Sequence, residues 1–268
     1  MRFILVFLSF WLSASLAGAQ TTPSETEVDL ELFLAVDVSR SMSAEELELQ
    51  RRGYAEALAS KDVIAALRSG LLGRIAVTYV EWAGPGSQRE VVPWTLVESE
   101  ADATAIAQKL TAHFDGGMRR TSISGALTYA TAAFENNGFK GLRRVIDISG
   151  DGPNNQGRPV LRARAEAIAR GIVINGLPLM TQDALSSIWG IPDLDVYYTN
   201  CVIGGPGAFV VPVYGWSQFP EAVTRKLVLE IAGVAPAPRV IRAQAAPAYD
   251  CMIGEKMWEQ NRSFFDIP

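Results

Sequence analysis

Apolar residues in this chain gather into short continuous runs, separated by longer stretches in which they recur at helical spacing. Residues 30–36 (LELFLAV), 74–82 (RIAVTYVEW), 144–149 (RVIDIS) and 172–179 (IVINGLPL) are of strand length and dominated by apolar side chains, as expected of strands covered on both faces. Between them, Ser43 followed by Glu46 forms a capping box, after which Leu47, Tyr54 and Leu58 repeat at helical spacing. Residues 99–113 predict a helix with acidic residues near its start, where they suit the helix dipole. Residues 121–134 predict an alanine-rich helix opened by Thr121, and 159–170 a helix with Pro159 at its first turn and Gly171 past its end. Residues 89–97 contain Pro93 and suit an edge strand, because proline cannot donate to a ladder. A further strand is expected at 208–214 and a closing helix at 220–232. Strands alternating with helices predict an α/β fold: a doubly wound, mostly parallel sheet with helices on both faces. In such sheets ligands bind beyond the carboxyl ends of the strands.

The first segment belongs to targeting. Residues 1–19 combine Arg2, an apolar run and the small-residue pattern Ala17-Gly18-Ala19, which predicts a signal peptide cleaved to leave Gln20 at the mature N-terminus. The run is short for a bilayer span, and no later stretch is long and apolar enough to be one. The expected organisation is a signal peptide at 1–19, a flexible leader at 20–27, one domain at 28–233 and an extended Ala/Pro-rich tail at 234–268. Export gives a secreted or periplasmic protein and changes the meaning of its two cysteines, Cys201 and Cys251. In an oxidising compartment a lone pair is expected to bridge, two buried thiols being the alternative.

Composition narrows the chemistry. Formal net charge is -5, which disfavours a non-specific nucleic-acid binder. A single histidine, His113, removes multi-histidine metal sites, and two cysteines exclude a four-cysteine zinc site. The strand ends nevertheless carry oxygen donors. Asp37-Val38-Ser39-Arg40-Ser41 follows the first long strand, with Asp37, Ser39 and Ser41 spaced to share a face. Thr121 follows a glycine turn, and Asp151 lies between Gly150 and Gly152 at the end of another strand. Carboxylates and hydroxyls are hard ligands suited to Mg²⁺ or Ca²⁺. Each of these residues also has an ordinary structural use: Asp37, Ser39 and Thr121 as caps, Asp151 as a turn residue.

The ordered set DVSRS, GGMRRTSISGAL and RVIDISGDG resembles the von Willebrand factor A (vWA) domain with its metal-ion-dependent adhesion site (MIDAS). The whole chain also resembles a group of secreted bacterial proteins of this class. The resemblance spans about residues 30–233. It implies one short antiparallel edge strand in the sheet, and a divalent cation held by Asp37, Ser39, Ser41, Thr121 and Asp151. Mg²⁺ is the first expectation, with Ca²⁺ or Mn²⁺ as alternatives. It further implies a non-enzymatic protein whose partner supplies a carboxylate to the metal. Two departures stand out: Met118-Arg119-Arg120 is inserted before Thr121, and Pro153-Asn154-Asn155-Gln156 replaces a further acidic residue after Asp151. The alternative functions are a Mg²⁺-dependent hydrolase or phosphotransferase with Asp37 as nucleophile, and an interaction module with a vestigial site.

Overall fold

The protein's structure is a computed structural model that describes residues 25–181, 190–234 and 249–262; the expected signal peptide and most of the leader lie outside the described residues. Five strands form the main sheet in the order β4-β3-β2-β6-β7: β2 (Leu30–Asp37), β3 (Ile75–Trp82), β4 (Gln88–Val97), β6 (Arg144–Gly150) and β7 (Ile172–Pro178). All pairs are parallel except β3 with the edge strand β4. The ladder shifts register near Thr78, whose hydroxyl donates to the Val92 carbonyl at 2.8 Å beside Pro93. A small second sheet pairs β1 (Thr26–Val28) with β5 (Phe139–Gly141).

The central strand explains the layers. Leu30, Leu32, Leu34 and Val36 point to one face, where they meet α1 (Ala44–Leu58), α2 (Lys61–Arg68), α3 (Glu100–Ala112) and α7 (Phe219–Ala232). Phe33 and Ala35 point to the other, against α4 (Ile123–Ala133) and α5 (Val160–Ala169). Each of these aliphatic side chains is fully buried, a gain of about 1.5–3 kcal/mol apiece. Glu31, the one charged residue within β2's first half, is buried yet satisfied by the Gly141 amide at 2.7 Å, Asn137 at 2.6 Å and Arg144 at 3.3 Å.

Two expectations give way. Residues 208–214 do not form a continuous strand; Val210 and Val213 make only isolated parallel bridges, to Gly176 of β7 and to Leu179 just beyond it. Pro212 between them has no N–H to extend the ladder. The tail expected to be extended carries a helix, α8 (Ile253–Arg262), anchored by a disulfide from Cys251 to Cys201, with Cα atoms 5.5 Å apart. Cys201 lies in a π-helical turn (Tyr198–Val202) that continues a short helix, α6 (Leu194–Tyr197). Closing a 50-residue loop stabilises the fold by about 4 kcal/mol in the chain-entropy model.

Beneath the sheet, Lys226 of α7 serves two buried carboxylates: Asp147 of β6 at 2.7 Å, and Glu230 one helical turn on. Asn175 of β7 also donates to Glu230, at 2.8 Å, and Tyr54 of α1 faces the same group of charges. One ammonium cannot neutralise both acids. Burial first, and then the Asp147 charge, raise the Glu230 carboxyl to about 7. The native state therefore holds a proton between roughly pH 4.5 and pH 7 that the unfolded chain has released, so stability falls as pH rises through that window. The urea midpoint of the wild type is expected to drop between pH 5 and pH 8, and Glu230→Gln to flatten that drop.

Candidate metal centre

The β2/β6 register sets the site. Val36 pairs with Ser149, so Asp37, one residue on, comes level with Gly150, the neighbour of Asp151. Gly150 permits the approach: a Cβ there would lie 2.9 Å from Asp37 Oδ2 and 2.8 Å from the Tyr198 hydroxyl. Asp37 is fully buried. Its Oδ1 accepts the Ser39 N–H at 2.8 Å, and the Ser39 and Ser41 hydroxyls lie 3.0 Å apart. Asp37 Oδ2 is buried without a hydrogen-bond partner among the described residues, as is the Tyr198 hydroxyl. An orphaned buried carboxylate oxygen is costly, and either a proton or a cation there would offset that cost.

Electrostatics tie the set together. The Asp37 carboxyl is pushed well above the usual range, first by burial and then by the Asp151 charge. Burial raises Asp151 to about 6, opposed by the Ser41 and Ser39 hydroxyls and aided by the charge of Glu46. Four of the five expected residues, Asp37, Ser39, Ser41 and Asp151, are thus within mutual electrostatic or hydrogen-bonding reach. Thr121 joins Ser39 and Ser41 in the floor of a cleft of about 730 Å³.

Thr121 arrives there differently from the sequence-based expectation. Ser122, not Thr121, caps α4, accepting the Gly125 N–H at 3.1 Å. Ser122 N also donates to the Ala83 carbonyl at 2.7 Å, which pins the helix start to the end of β3. Thr121 exchanges main-chain contacts with Asn155 instead: its N–H reaches Asn155 Oδ1 at 3.2 Å, and its carbonyl accepts the Asn155 N–H at 3.0 Å. The inserted Met118-Arg119-Arg120 is absorbed by a bridge between Met118 and Ser39 and by Arg120 in the left-handed region, at φ 74°. Upstream, Arg51 bonds both the His113 carbonyl and buried Glu81 of β3, which Arg89 also pairs, so the start of the loop is braced.

The third loop is held from the C-terminal side. Asn154 donates its N–H to the Tyr197 hydroxyl at 3.1 Å and its amide to Glu255 of α8 at 2.7 Å. Gly254 packs so tightly on the Asn154 carbonyl that any side chain there would collide. Tyr198, Asn154, Glu255 and Trp258, the last in the cleft wall, are all residues that sequence reasoning missed. A π-helical turn has no sequence signature, and α8 becomes visible only through its partners.

These residues fit a hard divalent cation. Two carboxylates would balance its charge, and three hydroxyls would supply neutral oxygens. Among the described residues no three His, Cys, Asp or Glu side chains cluster in the manner of a zinc or acidic-cage site. Gly150→Ala is expected to force Asp37 and Tyr198 apart and to cost about 1–3 kcal/mol in urea unfolding. Gly86→Ala, where a Cβ meets nothing within 4 Å, should leave the midpoint in place.

Comparisons with known proteins agree with this architecture. The family model described as "Protein of unknown function (DUF1194)" matches residues 27–235. No curated protein matches the sequence. Among solved structures, proximal thread matrix protein 1 from the mussel byssus superposes with a TM-score of 0.55 at 16% identity, covering 78% of this chain and 49% of that one. Another structure of the same mussel protein has a zinc-occupied MIDAS motif. The pilus adhesin SpaC of Lactobacillus rhamnosus GG gives 0.55 at 13% identity, covering 75% of this chain and 30% of its own. A von Willebrand factor type A protein from Catenulispora acidiphila gives 0.53 at 14% identity, covering 78% and 43%. The chain thus spans half or less of the length of these structures, and at such identities the likeness is one of fold: the vWA-like α/β sandwich.

Proposed function

Because the chain belongs to the DUF1194 family of proteins of unknown function, its role has to come from its own site, and we propose that it is an exported binding protein with a cation-dependent docking site for a protein partner. Asp37, Ser39, Ser41, Thr121 and Asp151 hold the ion, with Mg²⁺ the first candidate. When bound, the ion supplies a local positive charge and an open coordination position for a carboxylate of the partner. The observation that carries this reading is the pair of adjacent buried carboxylates, one with an unpartnered oxygen, beside the Ser39 and Ser41 hydroxyls at the carboxyl edge of the sheet. Such a pair needs a proton or a cation.

The surroundings favour binding over turnover. Asp37 is wholly buried, whereas a nucleophilic carboxylate must reach its substrate. The mussel structure with zinc in its MIDAS motif supports a divalent ion in this architecture without fixing which one. Among the described residues no helix is long and apolar enough to cross a membrane. The limits of the domain are taken as 28–233, with the C-terminal segment as an appended strap.

Calorimetric titration with Mg²⁺ and with Mn²⁺ tests the site directly. The wild type is expected to bind one ion, and Asp151→Ala and Ser39→Ala to lose at least tenfold in affinity, a change of about 1.4 kcal/mol or more. Binding of equal strength in all three proteins would contradict the assignment.

A further inference from the structure

The cleft above the metal centre has a floor of one kind and a rim of another. Its floor is Ser39, Ser41 and Thr121; its rim carries Arg40, Arg119 and Arg120, and no acidic side chain is among the residues that line it. All three arginines are exposed, and among the described residues none lies within salt-bridge distance of a carboxylate. Three arginines without a carboxylate partner around one opening are unexpected in a chain whose net charge is -5. Like charges repel, and burial of the guanidinium stems does not require them to converge.

The rim is also shaped. The Arg120 guanidinium lies 5.7 Å over the Trp258 ring and 3.5 Å from Gln156 Oε1, and its backbone adopts φ 74°. A non-glycine residue in that region is strained unless its surroundings hold it there, and such strain gathers at ligand-binding positions. Trp258 is supplied by α8, beyond residues 27–235. The disulfide at Cys251 and the Gly254–Asn154 contact fix α8 against the loop that carries Asp151. The wall of the cleft is therefore built by a segment outside the matched domain, and it is covalently secured.

We propose that Arg40, Arg119 and Arg120, backed by Trp258, form an anion subsite beside the metal centre, and that the ligand is an acidic polypeptide segment bearing several carboxylates. One carboxylate completes the ion's coordination, as the proposed function has it, and its neighbours in sequence pair with the rim arginines. Guanidinium groups suit this role because their donors match carboxylate geometry. A cleft of about 730 Å³ is of ordinary size for a ligand site. An acidic protein can recruit an acidic segment only where its own field is locally reversed, and ion and arginines together do this.

The test uses the mature chain and two capped peptides in a glycine-serine frame, one with a single aspartate and one with three. Binding is followed by calorimetry at low salt, with Mg²⁺ or with EDTA. In Mg²⁺ the triacidic peptide is expected to bind about tenfold tighter or more than the monoacidic one. That advantage should vanish in the triple variant Arg40→Gln/Arg119→Gln/Arg120→Gln, which is expected to bind Mg²⁺ alone at least as tightly as the wild type. Equal affinities for the two peptides, both abolished by EDTA, would overturn the arginine subsite and leave the metal reading intact. A triacidic preference that persists in EDTA and disappears in the triple variant would keep the subsite and overturn the metal reading. Binding of a free dicarboxylate such as glutarate as tightly as the triacidic peptide would overturn the polypeptide assignment.

Discussion

Two carboxylates buried side by side cannot both be ionised without a compensating positive charge. Asp37 and Asp151 are in that position, and much of this structure exists to put them there. Strand β2 is buried along its whole length between β3 and β6, so a one-residue slip of its register would trade Leu30, Leu32, Leu34 and Val36 for Glu31, Phe33, Ala35 and Asp37 on its two packed faces. That register carries Asp37 to the carboxyl edge level with Gly150. A side chain at Gly150 would collide with Asp37 Oδ2 and the Tyr198 hydroxyl. Packing of the sheet is converted in this way into an electrostatic demand at one point on its edge.

Around that point the loops are held by directional bonds. Asn154 and Asn155 work structurally: Asn155 locks Thr121 through its backbone, and Asn154 ties its loop to Tyr197, α4 and α8. The Arg51–Glu81–Arg89 group does the same for the approach to Thr121. The disulfide adds covalent closure on the far side, so the segment after the domain is part of the site's wall.

Much of this was legible in the sequence, for physical reasons. Apolar runs at 30–36 and 144–149 could only be buried strands, and Ser43 with Glu46 forms the capping box its spacing announces. The antiparallel edge strand with Pro93 is where proline's missing donor places it. Asp37, Ser39, Ser41 and Asp151 converge because a strand end fixes where a side chain emerges, whereas Thr121 reaches the same cleft from the loop before α4. Other features depend on tertiary partners. Which of Thr121 and Ser122 caps α4 is decided by Ala83 and Asn155, from other loops. Helix α8 has a polar, short sequence and owes its place to Cys201 and Asn154, both distant in the chain. Tyr198 reaches Gly150 from a π-helical turn, a geometry no periodicity reports. The strand expected at 208–214 failed at Pro212.

The proposed metal centre places one divalent ion among the oxygens of Asp37, Ser39, Ser41, Thr121 and Asp151. Anomalous diffraction from crystals grown with Mn²⁺ addresses it most directly. The account predicts a single strong peak within coordination distance, about 2.0–2.2 Å, of the Ser39 and Ser41 hydroxyls and between Asp37 and Asp151. A fully occupied crystal form with no peak there, or with Mn²⁺ bound only at other carboxylates, would contradict it.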